Sequence, residues 1–341
     1  RALRLLRQES LALAWVGGGA GKMLEDGLNK LGIETDFVWV EEETRTNTIA
    51  LEDGGEWYMR LNEPGPHIPE TAVRELIDKT ILYAHIGNIW VASGSLPLDV
   101  PVDFYARLFK MLQAKGVRVF FDSNGEAFKL GLAQKPYLVS TDLAEAEAVV
   151  GFSIKNIENA KKAVLSFLRL GVEHIALSFD QGKLVLASQK EIVIASPLKV
   201  PTRNITGSGD ALMAGLVYGF SKHHALKETA RWANAFRAAW VSNAKYEDIR
   251  EGTVENLFHR AEAISLPMRS ALRLRRSRIS FLETPMAFRR RASSAWAWST
   301  GTWRSGISNS SVSTTTAGAI ATPGDAPIPF LIFIFDYPGH G

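Results

Sequence analysis

Strand-length apolar runs alternate with helix-length amphipathic segments through the first 265 residues of this 341-residue chain. Neighbouring parallel strands need a crossover of a dozen or more residues, usually a helix. The alternation therefore predicts an α/β fold whose mostly parallel sheet is covered by helices on both faces. The predicted strands lie near residues 11–16, 82–86, 89–92, 117–121, 137–139, 174–178, 183–187 and 191–194. The predicted helices lie near residues 2–7, 22–31, 70–79, 101–115, 142–150, 156–170, 208–220, 225–243 and 253–263.

Residues 36–62 interrupt this alternation with three strand-like runs, at 37–40, 46–51 and 56–61. The sequence Asp-Gly-Gly at 53–55 provides a hairpin turn between the last two runs. A small antiparallel sheet inserted into an α/β chain is a candidate lid over a binding site. We assign that role to residues 36–62.

Residues 266–341 differ in composition from the rest of the chain. They contain nine arginines, no lysine and three acidic residues, whereas residues 1–265 contain 30 basic and 33 acidic residues. The basic balance belongs to this tail, which argues against a nucleic-acid-binding body. Because the tail lacks apolar periodicity, we interpret it as a disordered segment outside the fold, such as the product of a frame-shifted reading. A basic interaction arm is the alternative, and the apolar run at 328–335 is expected at most to contact an open sheet edge.

The chain contains no cysteine, which excludes disulfides and thiolate metal sites and suits a reducing compartment. No stretch reaches the roughly 18 apolar residues that a membrane-spanning helix needs. The seven histidines lack the spacing of metal ligands. These observations favour a cytoplasmic protein without membrane or nucleic-acid partners.

The strongest chemical signal lies in residues 204–215, where a Gly-Ser-Gly turn opens directly into a predicted helix. Free N–H groups at a helix N-terminus, with the positive end of the helix dipole, form a site for a phosphate or a developing oxyanion. Glycine lets the backbone approach such an anion closely. Asp210 follows the turn, where a carboxylate suits a general base for a hydroxyl that attacks a phosphate. A plain helix N-cap is its alternative role.

This segment resembles the second signature of the PfkB family of sugar kinases, within the ribokinase-like superfamily. Three stretches resemble motifs of its hexose-phosphate kinase branch, in the expected order: residues 43–49 (Glu-Thr-Arg-Thr-Asn-Thr-Ile), 62–66 (Asn-Glu-Pro-Gly-Pro) and 93–97 (Ser-Gly-Ser-Leu-Pro). The resemblance covers residues 1–265. It implies a ribokinase-like three-layer α/β/α sandwich with a small β lid. It also implies an ATP- and Mg²⁺-dependent kinase that phosphorylates a sugar phosphate.

The resemblance gives roles to individual residues. In the family the Gly-x-Gly backbone forms an anion hole beside the catalytic aspartate, and the corresponding residues here are Gly207, Ser208, Gly209 and Asp210. The residues expected to contact the sugar phosphate are Gly18, Arg45, Asn47, Ser93, Gly94 and Ser95. The residues expected to contact ATP are Ser178, Gly182, Thr206, Gly207, Gly209 and Asn234. Glu145 is expected to organise water around Mg²⁺. The role of Asp122 is left open, since it could be a ligand-facing carboxylate or a turn residue.

Two segments depart from the family pattern. Residues 178–182 (Ser-Phe-Asp-Gln-Gly) lack a glycine of the family's nucleotide turn, and residues 140–142 (Ser-Thr-Asp) replace its Lys-Pro-Asn. The family's first strand and its Gly-Gly-Lys-Gly turn do not occur in the sequence, so we expect the N-terminal strand of the sheet to be missing. A catalytically impaired pseudokinase that binds sugar phosphate is therefore the alternative to an active kinase.

The motifs leave the acceptor open between fructose 1-phosphate, tagatose 6-phosphate and fructose 6-phosphate. We place fructose 1-phosphate first and tagatose 6-phosphate second, ahead of a free sugar or nucleoside. A homodimer formed through the lid is the candidate assembly.

Overall fold

The computed structural model describes residues 1–51, 58–180, 182–204, 206–243, 245–250, 252–268 and 331–335. The strands in this part of the chain are β1 (Leu11–Leu13), β2 (Trp15–Gly17), β3 (Glu34–Thr35), β4 (Val38–Val40), β5 (Thr48–Leu51), β6 (Tyr58–Leu61), β7 (Ile89–Ser93), β8 (Arg118–Asp122), β9 (Leu138–Thr141), β10 (His174–Phe179), β11 (Lys183–Ser188), β12 (Glu191–Ala195), β13 (Ala263–Pro267) and β14 (Leu331–Phe335). The helices are α1 (Gly18–Lys30), α2 (Glu70–Tyr83), α3 (Phe104–Ala114), α4 (Gly125–Leu132), α5 (Leu143–Val150), α6 (Ile157–Arg169), α7 (Ser208–Ser221), α8 (Leu226–Val241) and α9 (Thr253–Arg260), with 3₁₀ turns at Ala2–Leu6 and Tyr246–Asp248. None of these helices has the length and hydrophobicity that a bilayer span requires.

Ten of these strands form the central sheet, in the order β13-β12-β11-β10-β9-β8-β7-β14-β1-β3. Strands β1, β3, β7, β8, β9, β10 and β12 run in one direction, and β11, β13 and β14 run in the other. The predicted mostly parallel sheet is confirmed. Because β7 to β10 are parallel, their carboxyl ends meet at one edge, where open α/β sheets bind ligands.

Alternate side chains of the strands enter two different apolar cores, one on each face of the sheet. On β8, Phe121 contacts Phe109 of α3 edge to face, with ring centroids 4.7 Å apart. Its neighbour Phe120 contacts Phe220 of α7 on the opposite face, with centroids 5.5 Å apart. Both phenylalanines of β8 are fully buried, and each such burial contributes about 1.5–3 kcal/mol. Helices α2 to α6 cover one face and α7 to α9 the other, so the sandwich has three layers.

Helix α1 begins earlier than the sequence pattern predicts. Gly18 to Gly21 form its first turn, whereas the predicted helix starts near residue 22. The side chain of Glu43 makes this possible, because its Oε1 accepts a hydrogen bond from the Ala20 amide over 2.6 Å. A Cβ atom on Gly21 would lie 3.1 Å from Cβ of Val16. The glycine there allows α1 to pack closely on β2.

Three other predictions of secondary structure are wrong. Residues 82–86 were expected to form a strand, but α2 continues to Tyr83. Residues 125–132 form the unpredicted helix α4, and Ala263 begins strand β13 where a helix was expected to end. Short apolar runs cannot be assigned to helix or strand by periodicity alone, and tertiary packing decides these cases.

The lid is simpler than predicted. Strands β5 and β6 pair antiparallel, with Thr48 opposite Leu61. The first predicted lid strand does not join them, because β4 pairs in parallel with β2. The Asp-Gly-Gly turn at 53–55 lies outside the described residues. The structure therefore describes a two-stranded sheet of β5 and β6 in the proposed lid region.

Strand β14 comes from the tail. It lies between β1 and β7 and runs antiparallel to both, with Phe333 opposite Ala12 and Val91. The expectation that the tail stays outside the fold is wrong for these five residues. Strands β1 and β7 each carry backbone donors and acceptors that need partners when buried. The backbone of residues 331–335 supplies those partners on both sides.

Replacing Phe333 with proline tests whether the sheet depends on β14. Proline has no N–H to donate and is excluded from strands that are paired on both sides. We expect Phe333→Pro to lower the thermal midpoint by more than about 4 °C, while Phe333→Val, which keeps the N–H, has a smaller effect. Equal thermal midpoints for the proline variant and the wild type would show that the stability of the sheet does not depend on β14.

Candidate active site

The N-terminus of α7 is the centre of the site. Gly207 precedes the helix in the left-handed conformation, at φ 73°, which glycine adopts without strain. A side chain is excluded there, because a Cβ atom would lie 3.1 Å from Nε1 of Trp240. That same Nε1 donates to the carbonyl oxygen of Thr206 over 2.6 Å. The start of α7 has no side-chain cap, so the N–H groups of its first turn are available to an anion.

Close packing of α7 on α8 fixes the position of this turn. A Cβ atom on Gly215 would lie 2.5 Å from Cα of Ala233, and one on Gly219 would lie 2.7 Å from the side chain of Thr229. The two helix backbones therefore approach each other at a distance that side chains would prevent. The Gly-Ser-Gly turn is held against a rigid helix pair and is not a mobile loop tip.

A cleft of about 920 Å³ opens in front of this turn. It brings together nine of the predicted site residues, including every predicted nucleotide contact. These are Glu145, Ser178, Gly182, Thr206, Gly207, Ser208, Gly209, Asp210 and Asn234. The carboxyl ends of β8, β9 and β10 supply the opposite wall, as the sheet topology requires.

Asp210 lies in the first turn of α7. It is surrounded by protein atoms, yet its side chain stays open to solvent through the cleft. Burial raises the pKa of its carboxyl. A carboxylate with a raised pKa accepts a proton more readily than an ordinary aspartate.

Asp122 joins the same cleft from the end of β8. Burial raises the pKa of its carboxyl well above the usual value, and the negative charges of Glu145, Asp210 and Asp142 add to the effect. A hydrogen bond with the Ser140 side chain acts in the opposite direction. Asp122 therefore lines the cleft, and its contact with a ligand stays a prediction. The end of a parallel strand was the signal that pointed to it.

Glu145 is oriented by the start of α5. Its Oε2 accepts hydrogen bonds from the Asp142 amide and from Oγ1 of Thr141, each over 3.2 Å. In return Oδ1 of Asp142 accepts from the Glu145 amide over 2.9 Å, which completes a capping box. Burial raises the pKa of Glu145, and the Asp142 charge raises it further. The substitution of Asp142 for the family's asparagine keeps a cap that positions this carboxylate.

Arg45 and the 93–95 loop form a second cluster next to the cleft. Nη2 of Arg45 donates to Oγ of Ser95 over 3.1 Å, whereas the Nε of the same arginine is buried without a hydrogen-bond partner. Burial lowers the pKa of this guanidinium. The amide of Gly94 donates to the Asp122 carbonyl oxygen over 3.0 Å, and Ser93 lies opposite Asp122 in the sheet. The predicted sugar loop is therefore tied to a strand that reaches the cleft.

Two of the predicted sugar contacts, Asn47 and Gly18, take part in local structure. Oδ1 of Asn47 accepts from the Glu63 amide over 3.2 Å, which holds the loop at 62–66. Gly18 starts α1, directly beside the carboxylate of Glu43. Neither residue lines the cleft, and their contact with a sugar stays a prediction.

Arg237 lines the cleft but was not predicted from the sequence. It lies on α8, three residues after Asn234, so the two side chains share a face of the helix. Its Nη2 donates to Oδ1 of Asn234 over 2.6 Å and also to the carbonyl oxygen of Gly182. The i, i+3 spacing from a predicted nucleotide contact was the signal available in the sequence.

The first 246 residues match a known protein family, described as pfkB family carbohydrate kinase. The 1-phosphofructokinase of Bacillus subtilis is 29% identical over 231 residues, which cover 67% of this chain and 75% of that protein. The tagatose-6-phosphate kinase of Staphylococcus epidermidis is 24% identical over 270 residues, which cover 78% of this chain and 86% of that protein.

A solved structure has the same architecture. Phosphofructokinase-2 from Escherichia coli superposes with a TM-score of 0.71 over 76% of this chain and 84% of that chain, at 23% identity. The likeness confirms the ribokinase-like sandwich predicted from the sequence. Since the family match spans most of the chain and includes the Gly-Ser-Gly-Asp turn, this protein belongs to the pfkB family of carbohydrate kinases.

Proposed function

We propose that this protein transfers the γ-phosphoryl group of ATP to a hydroxyl of a sugar phosphate. Fructose 1-phosphate is the first candidate acceptor, which would make the protein a 1-phosphofructokinase. Tagatose 6-phosphate is the second candidate, and fructose 6-phosphate the third. The observation that carries the proposal is the position of Asp210 in the cleft, beside the uncapped N-terminus of α7. The names of the relatives support the acceptor class.

In the proposed reaction, Asp210 takes the proton of the acceptor hydroxyl as that oxygen attacks the γ-phosphorus. The bond from the γ-phosphorus to the bridging oxygen breaks, and ADP leaves with the electron pair. N–H groups in the first turn of α7 donate to the transferred phosphoryl oxygens, where they stabilise negative charge. Burial raises the pKa of Asp210, which strengthens it as the base.

The cleft suits Mg²⁺ only together with a nucleotide. The described residues contain no group of three or more His, Asp or Glu side chains able to hold a metal ion. Mg²⁺ usually takes one or two carboxylates, substrate phosphates and several waters. Asp122 and Glu145 supply such carboxylates. They lie close together, because the negative charge of Glu145 raises the pKa of Asp122. We infer that these two hold the ion, Glu145 through water. When bound, Mg²⁺ would neutralise charge on the nucleotide phosphates.

Arg45 is the candidate residue for binding the phosphate group of the acceptor. A guanidinium binds phosphate through a planar set of N–H donors. The buried Nε of Arg45 has no acceptor among the described residues, and a substrate phosphate would provide one. A Cβ atom added to Gly65 would lie 3.4 Å from Cδ of Arg45, so the backbone at Gly65 lies close to the aliphatic part of this side chain.

Asp210→Asn tests the catalytic base. Asparagine keeps the size of the side chain but cannot accept the hydroxyl proton, so kcat should fall by at least about 10². Asp180→Asn is the matched control, because Asp180 also lines the cleft but pairs with the exposed Lys183. A kcat near the wild-type value for Asp210→Asn would remove this residue from the mechanism.

A coupled ADP assay on fructose 1-phosphate, tagatose 6-phosphate, fructose 6-phosphate and fructose tests the acceptor. We expect the highest kcat/KM on fructose 1-phosphate. Arg45→Ala should raise KM for that acceptor by about 10- to 100-fold, because a hydrogen bond to a charged group is lost, and should leave KM for ATP unchanged. The control Arg74→Ala removes an exposed arginine paired with Glu70. Equal losses on fructose and on its phosphates would show that Arg45 does not read a phosphate.

The lid also supports the proposed homodimer. Met59 and Leu61 lie on one face of β6 and are 56% and 55% exposed. Apolar side chains grouped on a small sheet are typical of an interaction surface. We expect the wild type to elute as a dimer in size-exclusion chromatography with light scattering, and Leu61→Glu to elute as a monomer. Leu82→Glu, at a 67% exposed position on α2, should remain dimeric, and a dimeric Leu61→Glu would contradict the lid interface.

A further inference from the structure

The cleft has an uneven distribution of charge. Acidic side chains dominate the part of it that the structure describes: Asp122, Asp142, Glu145, Glu147, Asp180 and Asp210. Arg237 is the one lysine, arginine or histidine among the described residues that line it. A nucleotide triphosphate brings several further negative charges into this space. Among the described residues that line the cleft, Arg237 is therefore the single cationic side chain placed to offset these charges.

Arg237 is held in place by neutral acceptors. Its two hydrogen bonds, to Asn234 and to Gly182, both come from Nη2. It forms no ion pair with an acidic residue in the described part of the chain. A guanidinium has five N–H donors, so the donors on Nε and Nη1 have no described protein partner. Burial lowers the pKa of Arg237 to about 10, which leaves the side chain charged at neutral pH.

Helix α8 places this cation on the same wall as the anion hole. Trp240, three residues after Arg237, covers Gly207 and bonds to Thr206. Arg237 itself lies against Gly182, at the end of the turn that departs from the family pattern. A nucleotide whose terminal phosphate reaches the first turn of α7 would therefore pass along the face of α8 that carries the guanidinium.

We propose that Arg237 binds a phosphate of the nucleotide through its free N–H donors. The inference rests on the proposed use of ATP as the phosphoryl donor and adds a residue to that site. The charge of Arg237 matters here because the neighbouring turn at 178–182 lacks a glycine and the segment at 140–142 lacks the family's lysine. Arg237 supplies the positive charge that this cleft otherwise does not contain among its described residues.

Equilibrium binding of ATP, ADP and adenosine separates this role from others. Calorimetry measures the two nucleotides, and saturation-transfer NMR measures the weaker binding of adenosine. We expect Arg237→Gln to weaken the binding of ATP and ADP by about 10- to 100-fold, because a charge-assisted hydrogen bond is lost. The affinity for adenosine should be unchanged. Arg237→Lys, which keeps the charge, should recover much of the loss. Thermal midpoints of all variants are compared first.

Arg231→Gln is the matched control, because Arg231 lies on the same helix and donates to the carbonyl oxygens of Ala261 and Phe258, outside the cleft. It should leave all three affinities unchanged. If Arg237→Gln weakened the binding of adenosine equally, the proposal would be overturned. That result would indicate that Arg237 holds Gly182 in position or contacts the base. A wild type that binds no nucleotide would also overturn it. Nucleotide binding without phosphoryl transfer would instead reject the proposed function and leave this test valid.

Discussion

The site depends on the close approach of α7 and α8. Gly215 and Gly219 let the two helix backbones touch where a Cβ atom would clash with Ala233 or Thr229. That contact sets the direction of α7 against the sheet, so its N-terminal N–H groups point at the edge where β8 to β10 end. Any larger residue at Gly215 would move the turn at 207–209 and the aspartate that follows it.

Burial then sets the chemistry of the carboxylates that meet there. Asp122, Glu145 and Asp210 all have raised pKa values, chiefly because protein surrounds them and partly because Asp122 feels the charges of the other two. Burying a charged carboxylate costs free energy unless a cation lies beside it or a proton neutralises it. The proposed nucleotide-bound Mg²⁺ and the proposed transfer of a proton to Asp210 would each relieve that cost. Arg237 is the protein's own contribution of positive charge to the same space.

The proposed acceptor side is linked to the proposed nucleotide side through hydrogen bonds to the backbone. The Gly94 amide bonds to the carbonyl oxygen of Asp122, and Tyr105 and Ser123 both donate to the Gly94 carbonyl oxygen. The loop beside Arg45 is therefore fixed relative to the strand that carries a carboxylate into the cleft. This rigidity is what a phosphoryl transfer between two bound substrates requires.

The sequence by itself determined the α/β class, the three-layer arrangement and the Gly-Ser-Gly turn at the start of α7, because apolar periodicity and the Gly-Ser-Gly-Asp pattern are local properties. It did not determine the helical state of residues 18–21, which depends on Glu43 reaching the Ala20 amide, or the pairing of β14 between β1 and β7. Asp122 ends a parallel strand and Arg237 follows Asn234 by three residues, so the sequence contained a signal for each. Only the tertiary structure brought the two side chains into one cleft, because that depends on which elements become neighbours across the sheet.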